Sequence, residues 1–362
     1  MLSNMHNRIL SFLSSQMWVL VLAFSSLHFY SIAQESTDNV LKSNDEDRTS
    51  LFNYIYELEA NPKISITLDI TRLINKSIKE EYQPAFISLS DNASNEKFSL
   101  PGRIRARENM RKQVCRLPPV KFDFPTAALD SLGFLQVDKL KFVFPCRDKA
   151  SDQKKLYKEF FLYGLYRLIN PYGIRAKLVN FTLIDGGQEK YRFTGMMIED
   201  EDEYALSKNA EIIELGSAKS GSLDRDAFLK MLFFQYMIAN TDWSIGNMHN
   251  VEMVKLPHKE RVVPLPYDFD YSGFVGQSYA KPYSSLPITS IHQRYFFPYQ
   301  LSENEFYEMV EYFLLIEDDV YAYCEKATYM DEKSIKQNKK YLAWFFDLLR
   351  NPQKMNASIV KK

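Results

Sequence analysis

Two short polar segments contain the residue types that phosphoryl-transfer chemistry requires. NTDWSIGNMHN (240–250) contains Asp242, and YDFDYSG (267–273) contains Asp268 and Asp270. Such chemistry uses one carboxylate to orient or deprotonate an acceptor hydroxyl, and a second, with an Asn amide, to hold Mg²⁺ against the phosphates. The segments supply these groups in that order, on either side of a short hairpin. Asp242 is therefore the candidate catalytic residue, and Asp268 and Asp270 are the candidate metal ligands.

The Asn that would complete this site has two candidates. Asn247 lies five residues after Asp242, which is the spacing of a protein-kinase catalytic loop. Asn250 lies eight residues after it, directly before the predicted strand VEMVKL. Spacing favours Asn247, whereas the position before a strand favours Asn250; both remain candidate metal ligands, and Asn250 is preferred. Each of these polar residues could equally serve only in a turn. The combination and its order are what indicate a site.

Composition excludes several other classes of function. The 362 residues are 46% hydrophobic and carry a formal net charge of -1, so the chain has no electrostatic field that would attract nucleic acid. None of its five His residues has a metal-ligand spacing such as HExxH, which argues against a metal-dependent hydrolase. There are only 12 Gly and no GxGxxG motif, so any cover for phosphates must come from other residues.

The N-terminus has the form of a secretory signal. Arg8 precedes the apolar run MWVLVLAF, and Ser31-Ile32-Ala33 supplies small residues for cleavage. We expect a signal peptide over 1–33, cleavage near Ala33 and a periplasmic or extracellular protein; an uncleaved anchor is the alternative. Residues 34–50 are polar and read as a flexible leader. No later segment is long and apolar enough to span a bilayer.

Export would permit a disulfide. The chain has three cysteines, Cys115, Cys146 and Cys324, so one intramolecular bridge is the most it can form. Cys115 and Cys146 each border a strand-like run, VKFDF and LKFVF. A bridge between them and three buried thiols are both compatible with the sequence.

The predicted elements fall into two lobes. Strands in KISIT, AFISLSD, GRIRAR, VKFDF and LKFVF precede a helix over 152–169 and a hairpin that turns at Gly186-Gly187, which favours an antiparallel sheet. A helix capped by Ser222 and two amphipathic tail helices follow. We predict an α+β fold with a β-rich N-lobe (51–200), a helical C-lobe (201–362) and a cleft near EDEDEY. The EDEDEY segment itself is predicted to be a solvated acidic turn.

The polar segments also resemble a known family. NTDWS with HN before a strand, followed by PYDFDYSG, is similar to the atypical kinases of the spore-coat protein H (CotH) type, and most similar to their exported bacterial relatives. GRIRARENMRKQVCRLPPVKFDF and FTGMMIED extend the likeness over roughly 60–300. The resemblance implies a two-lobed protein-kinase-like fold that uses ATP with Mg²⁺ or Mn²⁺. The phosphoacceptor would be an unidentified protein or small hydroxyl compound.

The same resemblance assigns roles to residues. Asp242 would be the catalytic Asp, Asp268 the principal metal ligand, and Asp270 would lie close to a second metal position. Lys141, in the strand before the first long helix, would meet the phosphates, with Lys121 as its rival. Glu159 on that helix would be the ion partner of the lysine.

Further nucleotide contacts are expected around the lobe junction. Glu199 would contact the nucleotide or close the hinge, and Arg103 and Arg105 would cover the phosphates in place of a Gly-rich loop. The absence of GxGxxG and of a His-Arg pair before Asp242 departs from protein kinases. An active ATP-dependent kinase and an inactive pseudokinase scaffold of the cell envelope therefore both remain open.

Overall fold

The computed structural model describes most of the chain after its first 47 residues. The described ranges are 48–59, 61–75, 78–90, 97–107, 110–214, 220–351 and 353–355. The predicted signal peptide (1–33), its cleavage near Ala33 and all but the end of the predicted leader lie outside these ranges.

The N-terminal part is a closed seven-stranded barrel in the order β1-β2-β3-β4-β5-β7-β6. The strand-like runs of the sequence all form strands. The sequence indicated an antiparallel sheet, and within the barrel the other strand pairs are antiparallel. The β1–β6 pair is parallel, and this pairing closes the sheet into a barrel. The strands are β1 Lys63–Thr67, β2 Gln83–Ser90, β3 Lys97–Ala106, β4 Val120–Asp123, β5 Lys139–Val143, β6 Ala176–Asp185 and β7 Gln188–Ile198.

Helices surround the barrel and connect it to the rest of the chain. Short helices precede β5, and the long helix α5 lies between β5 and β6, as its apolar spacing predicted. Gly186 and Gly187 turn the β6–β7 hairpin with φ of 58° and 77°, a conformation that glycine adopts without strain. The helices are α1 Leu51–Glu57, α2 Ile70–Ile74, α3 Arg111–Val114, α4 Thr126–Ser131 and α5 Ala150–Ile169.

The C-terminal part is mainly helical. A small sheet in the order β10-β9-β8 contains the hairpin between the two polar segments. Its strands are β8 Glu211–Ile212, β9 Val251–Lys255 and β10 Val263–Pro266, and the helices are α6 Glu201–Lys208, α7 Arg225–Met237, α8 Glu303–Leu315, α9 Glu317–Glu325 and α10 Glu332–Leu349.

Two hydrophobic cores correspond to the two lobes. One fills the barrel, and the other joins α5 to the C-terminal helices and the small sheet. The predicted α+β class, with a β-rich N-lobe followed by a mainly helical C-lobe, is confirmed. Within the described ranges, no helix has both the length and the hydropathy that a membrane crossing requires.

Three local predictions are wrong. EDEDEY is not a solvated turn, because it opens helix α6 and buries Asp200 and Glu203. Helix α7 is capped by Asp224, whose side chain accepts the backbone N–H of Ala227, and not by Ser222. The C-terminal tail forms three helices instead of two, because the first predicted helix is interrupted at Ile316.

The start of α8 provides a testable ionic contact. Glu305 and Ser302 form a capping box, and Arg225 on α7 bonds the same carboxylate, with Nη2 3.0 Å from Oε2. The hydrogen bond from Arg225, together with the hydrogen bonds from Ser302, lowers the pKa of Glu305 to about 2 from 4.5. A depressed folded-state pKa gives stability that is complete above the unfolded value and is lost as the pH falls through the folded value.

We therefore expect Glu305→Gln to lower the free energy of unfolding by about 1 kcal/mol at neutral pH. The difference from wild type should shrink as the pH falls from about 4.5 towards about 2. Urea unfolding across this range measures it. Glu303→Gln, an exposed change in the same helical turn, is the control. A pH-independent difference would show that the ionic contact is not its source.

Candidate active site

The loop after α7 positions Asp242 by local hydrogen bonds. The Asn240 side chain accepts the backbone N–H of Asp242, and the Trp243 indole donates to the Asn240 carbonyl. Ser244 and His249 then pair as an isolated bridge, which folds the loop back on itself. Because of this return, residues seven and eight positions after Asp242 come to lie beside it.

The Asp242 carboxylate accepts three side-chain contacts. Its Oδ1 lies 2.8 Å from His249 Nε2 and 2.6 Å from the Tyr283 hydroxyl, which donates to it. Its Oδ2 accepts the Asn250 amide at 3.1 Å. Asn250 is buried with φ of 53°, whereas Asn247 is exposed on the turn. The structure therefore brings Asn250 to Asp242, and it leaves Asn247 at the edge of the cleft.

Asp268 follows β10 in a left-handed backbone conformation, with φ of 56°. Its backbone N–H donates to the Tyr163 hydroxyl on α5 at 3.0 Å. Its side-chain Oδ1 is buried and has no hydrogen-bond partner. A left-handed non-glycine residue and an unsatisfied buried carboxylate oxygen both cost free energy, and such costs are commonly found at functional sites.

A buried ionic cluster connects Asp270 to the barrel side. Arg111 from α3 forms a bidentate ion pair with Glu159, in which Arg111 Nη2 lies 2.6 Å from Glu159 Oε2. The Nε of Arg111 lies 3.3 Å from Asp270 Oδ2. Tyr279 donates to the same Asp270 oxygen at 2.6 Å and accepts from Arg111 Nε at 2.9 Å. Burial raises the pKa of the Glu159 carboxyl, and Arg111 opposes that rise.

The predicted pairing of Glu159 with Lys141 is wrong. Lys141 contacts Asp200 at 3.1 Å and also pairs with Glu201, both at the start of α6. Lys121 on the neighbouring strand lies 3.4 Å from the same Asp200. Burial opposes the effect, but the two lysines together lower the pKa of Asp200. Both lysines thus fasten α6 to the barrel, and Arg111 takes the place beside Glu159.

The remaining nucleotide-side candidates do not line the cleft. Both Glu199 oxygens bond Arg175, at 2.9 Å each, so this carboxylate holds the lobe junction together. Arg103 pairs with Asp123 at 2.6 Å, and the guanidinium groups of Arg103 and Arg105 lie over the Tyr82 ring. Arg103 and Arg105 are not among the residues that line the cleft of Asp242 and Asp268.

A cleft of about 740 Å³ joins the acidic residues to a basic wall. Asp242, Asp268 and Asp270 line one side. The cationic residues are Arg107, Arg111 and Lys281. Beyond Arg107 and Tyr267 lies a separate space of only about 20 Å³, lined by Lys141 and Glu199 among others. The cleft has the volume of a small-molecule site, and Lys141 lies outside it.

A divalent cation has one well-suited ligand in this cleft. The unpartnered Oδ1 of Asp268 is a buried carboxylate oxygen of the kind that Mg²⁺ prefers. Asn250 uses its amide nitrogen on Asp242, which leaves its amide oxygen as a second ligand. Asp270 is already bound by Arg111 and Tyr279. No cluster of three or more metal-binding side chains occurs in the described part of the chain. Mg²⁺ commonly takes one or two carboxylates with phosphate oxygens and water, and the residues fit that mode.

Sequence reasoning missed four residues of the site: Arg107, Arg111, Tyr279 and Tyr283. The two arginines belong to the run RIRARENMR, where no spacing distinguishes them from Arg103 and Arg105. The tyrosines lie in a long irregular segment after YDFD. The sequence signal that could have identified these tyrosines is their position after YDFD, because the segment that follows a metal-binding Asp can fold back over the cleft.

Comparisons with known proteins give one structural likeness to report. No described protein family matches the sequence, and no curated protein matches it either. Among solved structures, the chain is similar to the Helicobacter pylori proinflammatory kinase CtkA. The match covers 66% of this chain and 95% of that one, with 11% identity and a TM-score of 0.36.

Proposed function

We propose that the protein is an atypical kinase of CotH-like type, which transfers a phosphoryl group from ATP to a hydroxyl acceptor. The observation that carries this proposal is the convergence of Asp242, Asn250, Asp268 and Asp270 on one cleft, at the edge of a β-barrel packed on a helical lobe. Phosphoryl transfer is catalysed mainly by positioning and charge, and these residues supply a base, an orienting amide and a cation ligand.

Each residue would have a defined role. Asp242 accepts the acceptor proton, and Asn250 and His249 hold its carboxylate in place. Asp268 and the Asn250 oxygen would hold Mg²⁺ or Mn²⁺, which neutralises phosphate charge when bound. Arg111, oriented by Glu159, takes the position that the sequence assigned to Lys141, and Arg107 lies beside it on the cleft wall.

An inactive pseudokinase is the second candidate. Its support is that Asp242 and Asp270 are both satisfied by the protein's own donors. Export to the periplasm or the cell surface, with signal cleavage near Ala33, belongs to either proposal. In both cases the partner would be a protein or a small hydroxyl compound outside the cytoplasm.

A thermal-shift titration tests the nucleotide site. We expect the melting temperature to rise only when ATP and Mg²⁺ or Mn²⁺ are present together, since a ligand that binds only the folded state stabilises it by mass action. Asp268→Asn should abolish the shift, whereas Asp318→Asn, an exposed change at the start of α9, should retain it. The absence of any shift in wild type would exclude the proposed site.

A further inference from the structure

The segment after YDFD places one tyrosine on the proposed catalytic carboxylate. Tyr283 lies in irregular chain between β10 and α8, and its hydroxyl donates to Asp242 Oδ1 at 2.6 Å. Its side chain is 49% exposed, so hydrophobic burial does not hold it there. The side-chain hydrogen bond that the structure gives Tyr283 is the one to Asp242.

This hydroxyl lies where a phosphoacceptor must lie. A catalytic base acts on a proton within about 2.6–3.2 Å of its oxygen. The other contacts of Asp242, from His249 and Asn250, restrict the carboxylate to this orientation. Tyr283 and Asp268 also line the same cleft, so the phenol and the proposed cation ligand face one space.

Tyr279 provides a contrast within the same segment. Its hydroxyl is fixed by two partners, because it donates to Asp270 and accepts from Arg111. It contacts a carboxylate on the metal side of the cleft and is largely enclosed. Tyr279 therefore anchors the segment, whereas Tyr283 presents a half-exposed ring whose hydroxyl contacts the proposed base.

We propose that Tyr283 is a phosphoacceptor of this chain's own site, an inference that rests on the proposed function. Asp242 takes the phenolic proton as the Tyr283 oxygen bonds to the γ-phosphorus of ATP. The bond from that phosphorus to the β,γ-bridging oxygen breaks, and ADP leaves with the electron pair. The product is phosphotyrosine at 283.

Transfer would also open the site. The new phosphate carries a charge of roughly -2 and would be repelled by the Asp242 carboxylate that the hydroxyl had contacted. Tyr283 would then leave Asp242 Oδ1, and an external hydroxyl could take its place there while His249 keeps its own contact with that oxygen. The nearby exposed Lys281 offers the phosphate an opposite charge on the same segment.

The test is mass spectrometry of the purified protein incubated with ATP and Mg²⁺ or Mn²⁺, with ADP release measured in parallel. We expect one phosphate on Tyr283 in wild type and in Tyr307→Phe, which alters an exposed tyrosine on α8. Tyr283→Phe should lose it. Asp242→Asn should slow its formation roughly 10²–10⁴-fold. The rate should not depend on protein concentration, because donor and acceptor belong to one molecule.

The outcomes separate this inference from the proposed function. ADP release with an unmodified Tyr283 would overturn the inference and leave the kinase proposal standing. Equal modification in Asp242→Asn, or a rate proportional to protein concentration, would also overturn it. The absence of both ADP release and an ATP-dependent thermal shift would overturn the inference together with the proposed function.

Discussion

We expect Arg111→Met to lower the free energy of unfolding by about 3–5 kcal/mol, because it leaves buried carboxylates without their cation. Arg111 is 3% exposed and contacts Glu159 and Asp270, which are themselves buried. The long apolar Met side chain retains much of the volume, so the loss reports mainly on charge. Urea unfolding followed by circular dichroism measures it.

Two other variants make this result specific. Arg192→Met removes an equally sized cation that is 71% exposed in its pair with Glu189, and should leave the free energy of unfolding close to that of wild type. Arg111→Met combined with Glu159→Met should cost less than the sum of the single changes, because the second removes the carboxylate that the first leaves unpaired. Equal losses in Arg111→Met and Arg192→Met would contradict the buried ion pair.

The sequence predicted the elements that have a strong local signal. Runs in which apolar and polar residues alternate predicted the barrel strands. Apolar residues spaced three and four apart predicted α5, and Gly186-Gly187 predicted the hairpin turn. These features depend on side-chain periodicity and on backbone freedom, both of which are readable within about ten residues. Closure of the barrel depends instead on β1 meeting β6, a pairing across more than a hundred positions.

The candidate site divides in the same way. Asp242, Asn250 and Asp268 lie in two segments joined by one hairpin, so their convergence could be predicted. The choice between Asn247 and Asn250 required the return of the loop, in which Ser244 pairs with His249. The Asp-to-Asn spacing of protein kinases indicated Asn247. The extra residues in this loop instead bring Asn250 to the Asp242 carboxylate.

The predicted pairing of Lys141 with Glu159 failed because ion pairs depend on tertiary geometry. Lys141 alternates with buried neighbours on its strand, as a phosphate-binding lysine would. The start of α6, however, brings Asp200 and Glu201 closer to it than Glu159. Arg111 reaches Glu159 across 48 positions from a four-residue helix that has no periodic signal of its own. The cation beside Glu159 therefore comes from a connection between strands and not from a strand.

The position of Arg111 depends in turn on a disulfide. Cys115 directly follows α3, and it is bonded to Cys146, which lies three residues after β5. The backbone N–H of Arg116 also donates to the Cys146 carbonyl at 2.9 Å. Of the two arrangements that the sequence left open, the structure has the bridge, with Cys324 as a buried free thiol. The bridge holds the helix that carries Arg111 against the barrel.

Replacing Cys115 and Cys146 together with Ala should therefore lower the free energy of unfolding by about 3–4 kcal/mol. The bridge spans a sequence separation of 31, and closing a loop of that length restricts the unfolded chain by about this amount. Because α3 would lose its tether, we also expect weaker binding of ATP with Mg²⁺, measured by calorimetry well below the melting temperature. Dithiothreitol should destabilise wild type to the same extent and leave the double variant unchanged. A wild-type protein indifferent to the reductant would contradict the bridge. A destabilised double variant with unchanged ATP affinity would instead show that Arg111 keeps its place through Glu159 alone.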